Sequence, residues 1–327
     1  MRHPRKKAAA FIAMVFAAGS FPLASPGKAA DVPESEDPIK LAINEWTGQH
    51  ITTHIAGQIL ERMGYNVEYV TAGYYPQMEA LQDNTVTATL EIWLNTIGEH
   101  YDKALQSGKV DDLGELGLAP SEGWLYPTYV EGMCPGLPDW SALKDCAEIF
   151  ATAETLPKGR LIDYPADWGG NNKERIDAFE LDLVAQPAGT EGSMIAEFQS
   201  AVARKAPILM MFWSPHWILG EYETKFVEMP AYDAKCVDDP SWGVNSDKTY
   251  DCAWFTGHVK KLVWKDMKDK WPAAYRFLEL YHVANEDQIP LMKAIDVEGQ
   301  DLVETTKAWV SENESKWQPW VDAAMSP

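Results

Sequence analysis

The sequence predicts an α/β protein whose two lobes face each other across a small-molecule cleft and are joined by two crossing segments. Three observations predict it. Strand-like and helix-like segments alternate along nearly the whole chain, they fall into two sets separated by extended stretches, and tryptophans recur where strands end. At 327 residues the chain can build a core in each lobe.

Residues 1–30 stand outside that scheme. Arg2, Arg5, Lys6 and Lys7 form a basic start, residues 8–24 are apolar, and Gly27, Ala29 and Ala30 supply small side chains before Asp31. That order predicts a signal peptide cleaved just before Asp31, and hence export to the periplasm. The apolar run is short for a membrane span and is broken by Gly19 and Pro22. No cysteine lies near the cleavage point, so no lipid anchor is expected, and nothing downstream approaches a membrane-spanning run. Cleavage removes five Lys/Arg and no acid, taking the formal charge from −21 to −26. So acidic a surface argues against nucleic acid or anionic membrane as a partner.

The first set of elements follows an acidic, proline-containing arm at 31–37. Strands are expected over 39–44, 67–71 and 88–93, and helices over 51–63 (stopped by Gly64), 75–82 and 97–107 (closed by Gly108). Residues 113–123 read as turns and 125–130 as an extended crossing, with Pro127 favouring an edge. The second set comprises a helix over 141–150, a strand over 160–164, a helix over 174–181 after the turn at 169–172, a helix over 192–204 and a buried strand over 208–213. Residues 227–232 return the chain, and the tail from Trp264 reads as helices over 268–283, 288–295 and 299–313. The expected division places 31–125 and 233–327 in one lobe and 126–232 in the other. Clefts between such lobes bind small ligands and close by hinge motion.

Four cysteines in an exported chain point to disulfides. Cys134 and Cys146 bracket one short loop, and Cys236 and Cys252 bracket another. Two local bridges are the leading choice among the three connectivities that four cysteines allow. No Cys-x-x-Cys spacing suits zinc. Between the second pair, Asp238, Asp239, Asn245, Asp247 and Asp251 crowd an oxygen-rich loop. Such a loop either holds Ca²⁺ or is simply a solvated acidic surface; its spacing is not that of an EF-hand. No other cofactor is expected.

The placement of the fourteen tryptophans carries the functional signal. In α/β lobes ligands sit at the carboxyl ends of strands. Trp46 follows the first strand, Trp93 ends the third, Trp168 lies just past the strand at 160–164, and Trp213 ends the strand at 208–213. Trp124 sits at the entry to the first crossing. The other nine fall on helices or loops and read as packing. Indole faces attract a cation that holds water poorly and cannot donate strong hydrogen bonds, which describes a quaternary ammonium. Each face contributes about 0.5 to 2 kcal/mol when the cation is desolvated. Three or four faces bring binding to roughly −8 kcal/mol, the micromolar range.

Glu91-Ile92-Trp93-Leu94-Asn95, Asp167-Trp168-Gly169-Gly170 and Phe212-Trp213-Ser214-Pro215-His216-Trp217 give the chain a family resemblance. It resembles the glycine betaine, proline betaine and choline-binding subunits of ABC transporters over essentially its whole mature length. That resemblance implies a two-lobed periplasmic-binding-protein fold, a monomer, no catalysis, and delivery of ligand to an inner-membrane ABC permease. It places Trp93, Trp168 and Trp213 at the family's cage positions, with Trp46 and Trp124 near others. Choline-binding relatives carry an Asp just after the first cage aromatic, where this chain has Thr47-Gly48, which weakens a choline assignment. Gly169, Gly170 and Asn171 at a helix start could hold a betaine carboxylate. Glu131, following the crossing, is the expected acid at the ligand's polar end. An all-tryptophan cage with one acid is similar to the pattern of trimethylamine N-oxide binders, and that ligand is the first expectation.

Rival classes find less support. His50 and His54 have metal-ligand spacing, but Ile51 occupies the place of a zincin's general base. Ser214 and His216 lack a Gly-x-Ser-x-Gly setting, which argues against a secreted hydrolase. An aromatic carbohydrate-binding module would want flat exposed platforms rather than aromatics at strand ends.

Overall fold

The computed structural model describes residue 1 and residues 32–326. The signal peptide expected over 1–30 and its cleavage point before Asp31 lie outside the described residues. The described residues form eleven strands: β1 (Ile39–Ile43), β2 (Val67–Thr71), β3 (Ala88–Trp93), β4 (Val110–Glu115), β5 (Ser121–Pro127), β6 (Pro135–Pro138), β7 (Gly159–Asp163), β8 (Leu183–Pro187), β9 (Met210–Ser214), β10 (Thr224–Phe226) and β11 (Val259–Trp264). Ten of them form two sheets of five, ordered β2-β1-β3-β11-β4 and β10-β5-β9-β7-β8.

The two sheets follow one plan. In the first, β1 lies parallel to β2 and β3, and β11 runs antiparallel to β3 and β4. In the second, β7 lies parallel to β8 and β9, and β5 runs antiparallel to β9 and β10. Each sheet thus accepts one antiparallel strand across the lobe boundary. The apolar runs of β3 and β9 are buried, as expected of strands inside a largely parallel sheet. Helix Thr47–Arg62 turns its Ile51, Ile55, Ile59 and Leu60 inward and packs against helices Asn285–Asp296 and Leu302–Glu312.

Several expected boundaries shift. The chain leaves the first sheet between β4 and β5, at residues 116–120, so a division at 125/126 would cut β5 in two. Residues 233–257 were expected with the first lobe but pack on the second. Asn245 Nδ2 donates to the Ala178 carbonyl at 3.2 Å, Arg175 Nε donates to the Cys252 carbonyl at 3.2 Å, and Trp254 stacks edgewise on Trp124 at 6.1 Å. Strands β4, β8 and β11 replace stretches expected to be turns or connections. Both local disulfides are present, Cys134–Cys146 and Cys236–Cys252. Among the described residues no helix is long and apolar enough to cross a membrane.

The lobes meet face to face. Thr47 N–H donates to Glu191 Oε2 at 2.8 Å, Trp217 Nε1 donates to Asp296 Oδ2 at 2.9 Å, and Thr47 Oγ1 donates to Asp296 Oδ1 at 2.7 Å. These bonds tie the starts of helices Thr47–Arg62 and Glu191–Arg204 together across the cleft.

Candidate functional site

The shared sheet plan dictates where the tryptophans go. Trp46 lies just past β1 and Trp168 just past β7, the equivalent strands of the two sheets. Trp93 ends β3 and Trp213 lies at the end of β9, again equivalent strands. Each lobe therefore offers a pair of indoles from the carboxyl ends of its parallel strands, and the two pairs face each other. They line a cavity of about 310 Å³, open mouth included, together with Tyr74, Thr96, Glu122 and Tyr164.

The walls are set at steep angles. Trp46 meets Trp168 across the cleft at 5.2 Å between ring centroids and 64° between planes, and Trp168 meets Trp213 at 5.9 Å and 73°. Tyr74 stands against Trp46 at 5.5 Å, and Tyr164 against Trp213 at 5.6 Å. These edge-to-face settings are the arrangement that the quadrupoles of aromatic rings favour. All four indoles are buried. Tyr74 is pinned by its own hydroxyl, which donates to the Trp93 carbonyl at 3.1 Å and accepts from the Trp93 N–H at 2.9 Å.

Among the described residues that line this space the one carboxyl is that of Glu122. Tyr164 hydroxyl donates to its Oε1 at 2.9 Å, and Asn95 Nδ2 donates to Oε2 from the opposite lobe. Burial pushes its pKa up to about 8, against the opposing pull of the Tyr164 hydrogen bond and the Arg175 charge. At neutral pH Glu122 is mostly a neutral acid with a proton to donate. The register explains its position. β5 pairs antiparallel with β9 so that Glu122 sits opposite Trp213, and Trp124 opposite Met211. The start of β5, not its end, therefore meets the cage.

That polarity corrects two expectations. Glu131 does not reach the cleft: it lies in the single-turn helix Thr128–Gly132, beyond the far end of β5. There it is paired at the surface with Lys225 Nζ at 2.8 Å and accepts from the Tyr126 hydroxyl at 3.2 Å. The Lys225 hydrogen bond holds its pKa below the ordinary carboxylate value. Trp124 is fully buried two residues deeper than Glu122 and does not line the cavity. Its Nε1 donates to Asn172 Oδ1 at 2.6 Å, and Asn172 Nδ2 donates to Asp163 Oδ1 at 2.5 Å. Asp163 Oδ1 also accepts from the Tyr164 N–H at 2.7 Å, so Trp124 braces the turn that carries Tyr164 and Trp168.

Gly169 and Gly170 make the turn after Trp168, with φ of +78° and +126°, values that favour glycine. A Cβ on Gly169 would fall 2.0 Å from the Tyr75 hydroxyl of the other lobe. Neither glycine lines the cavity; the Gly170 carbonyl accepts from Arg175 Nη1 at 2.9 Å and Trp254 Nε1 at 3.0 Å. The acidic loop does not gather around a point either. Asp239 folds back on Ser241 Oγ at 2.6 Å, while buried Asp251 accepts from the Asn245 N–H at 2.9 Å. Among the described residues no three His, Cys, Asp or Glu side chains, including Asp238, Asp239, Asp247 and Asp251, form a group able to hold a metal.

Sequence reasoning missed Tyr74, Tyr164 and Glu122. The two tyrosines follow β2 and β7 and obey the same strand-end rule as the tryptophans, so that signal was present. Glu122 carried none, because the direction of a crossing strand is invisible in its own residues.

Two lobes that each bring a pair of indoles to one site between them define a binding protein for a small solute. The chain belongs to the family described as the substrate binding domain of ABC-type glycine betaine transport systems, whose model matches residues 37–312. It is 30% identical over 294 residues to the trimethylamine N-oxide-binding protein of Pelagibacter ubique (strain HTCC1062), covering 88% of this chain and 91% of that protein. Its fold matches the glycine betaine, L-proline-binding protein from Borrelia burgdorferi with a TM-score of 0.69 at 21% identity, over 89% of this chain and 97% of that one. It also matches an ABC-transporter choline-binding protein in complex with choline, with a TM-score of 0.70 at 17% identity, over 90% and 94% of the two chains.

Proposed function

We propose that this protein captures trimethylamine N-oxide in the periplasm and presents it to an inner-membrane ABC permease, acting as an exported monomer without catalysis. The observation that carries the choice of ligand is Glu122, a half-buried acid among four indoles whose pKa is pushed up to about 8. The trimethylammonium head would lie against the faces of Trp46, Trp93, Trp168 and Trp213. The N-oxide oxygen is a strong anionic acceptor, and a protonated Glu122 is its matching donor. A betaine carboxylate is larger than the oxide and spreads its charge over two oxygens, and it would meet Glu122 instead of backbone amides. Choline carries a net positive charge, which an ionised Glu122 would balance better than a neutral one. The likeness to the Pelagibacter protein supports the same reading.

A calorimetric panel of trimethylamine N-oxide, glycine betaine, choline and carnitine on the mature protein tests the proposal. Trimethylamine N-oxide is expected to bind tightest at pH 7, by at least about tenfold, or 1.4 kcal/mol. Tighter binding of glycine betaine or choline would transfer the assignment to that ligand.

A further inference from the structure

Behind the first-lobe half of the cage lies a second carboxylate that no ligand would touch. Glu91 sits in the middle of β3, every residue of which is buried, and is itself 1% exposed. Its Oε1 accepts from the indole Nε1 of Trp46 at 2.8 Å and of Trp93 at 3.1 Å. Its Oε2 accepts from Thr52 Oγ1 at 3.0 Å and Gln288 Nε2 at 3.1 Å. Four donors from four places in the lobe therefore converge on one side chain: the loop after β1, β3 itself, helix Thr47–Arg62 and helix Asn285–Asp296. Gln288 Nε2 also approaches the Gly48 carbonyl at 3.0 Å and Thr52 Oγ1 at 3.1 Å, which fixes the amide's orientation.

We propose that Glu91 is a positioning residue that holds the first-lobe half of the cage in its cation-binding arrangement and makes those two indole faces more attractive to a cation. This deepens the proposed function and rests on it. The geometry supplies both parts. An indole N–H lies on the ring edge, so a carboxylate that accepts from two such edges at once fixes the rotation of both rings relative to each other. Two bonds to one oxygen leave neither ring free to turn without breaking a buried, charge-assisted bond. An N–H bonded to an anion also shifts electron density onto its ring, which strengthens the attraction between the ring face and a cation. The donor set suits the ionised form, since four donors occupy the four acceptor positions of a carboxylate. Burial raises its pKa above the ordinary carboxylate value, and the four hydrogen bonds oppose that rise by favouring the ionised form. Among the described residues no carboxylate holds the indoles of Trp168 and Trp213 in this way. The first lobe thus carries a fixed half-cage on which the second lobe closes.

The test compares the wild-type protein with Glu91→Gln, using trimethylamine N-oxide and its uncharged isostere tert-butanol as probes. The two probes have the same shape, so a loss of packing alone would weaken both. Glu91→Gln is expected to lower the preference for the zwitterionic N-oxide, whose nitrogen bears the positive charge, at least about tenfold while changing tert-butanol binding less than about twofold. Equal losses on both probes, or none on either, overturn the proposal. Indole ¹H–¹⁵N spectra of the unmutated protein, assigned with Trp46→Phe and Trp93→Phe, decide the matter even where Glu91→Gln does not fold. The Trp46 and Trp93 indole protons are expected downfield of those of Trp168 and Trp213 and slower to exchange. Coincident shifts and exchange rates across the four overturn it. If wild type binds no trimethylammonium probe, the proposed function falls, while those spectra still decide whether Glu91 grips the two rings.

Discussion

Raising the pH from 7 to 9 should weaken trimethylamine N-oxide binding about tenfold, through Glu122. Its pKa is pushed up to about 8 by burial, so about ten in eleven molecules carry the Glu122 proton at pH 7 and about one in eleven at pH 9. Only the protonated form can donate to the N-oxide oxygen; the ionised form faces that oxygen with a like charge. An apparent Kd scales inversely with the competent fraction, which gives the tenfold loss, about 1.4 kcal/mol. Choline should show the opposite slope, because it is a net cation and an ionised Glu122 attracts it. Titration calorimetry at half-unit steps of pH, on wild type and Glu122→Gln, reads the effect. The glutamine keeps a donor and cannot ionise, so its affinity should be a few-fold lower at pH 7 and flat with pH. That control also removes any contribution from Lys261, which burial lowers to about 8 as well. A wild-type affinity constant from pH 7 to 9, or an unchanged slope in Glu122→Gln, would refute the role assigned to this acid.

Other perturbations follow from the same geometry. Trp93→Ala and Trp213→Ala should each lose at least about tenfold in calorimetric affinity with the fold retained, since each removes a face and leaves a gap in the cage. Trp317→Ala should instead cost about 3–5 kcal/mol of stability in denaturant unfolding and leave affinity untouched in the folded fraction, because Trp317 is buried away from the cavity with its Nε1 donating to the Val310 carbonyl. Glu131→Ala should bind trimethylamine N-oxide as wild type does, its partner being Lys225 at the surface; a tenfold loss would reinstate it as a ligand contact. Replacing Cys236 and Cys252 by serine should lower stability by about 2–4 kcal/mol, the usual effect of opening a loop of this size. An unchanged melting temperature would contradict that.

What the chain discloses on its face is the scaffold of the cage, and the reason is physical. Parallel strands buried on both sides read as short apolar runs, so their carboxyl ends can be located from sequence, and with them Trp46, Trp93, Trp168 and Trp213. Strands that break the pattern stay hidden. β11 carries Lys260 and Lys261, and its buried Lys261 is tolerated because Nζ donates to the Glu279 and Tyr281 carbonyls at 2.9 and 2.6 Å, near the end of helix Pro272–Leu280. β4 is rich in acids, and β8 is a short edge strand. Glu91 was legible in principle, as a lone acid in a run otherwise suited to burial. Glu122 was not, because its place depends on β5 entering the second sheet antiparallel to β9, a long-range fact. The expected acid was therefore sought at the wrong end of the crossing.

The most direct test of the central claim is a crystal structure of the mature protein with trimethylamine N-oxide bound. The nitrogen is expected between the faces of Trp46, Trp93, Trp168 and Trp213, with the oxygen within hydrogen-bond reach of Glu122, about 2.5–2.8 Å. A ligand bound outside the four indoles, or one whose oxygen turns away from Glu122 toward backbone amides at Gly169 and Gly170, would contradict the account.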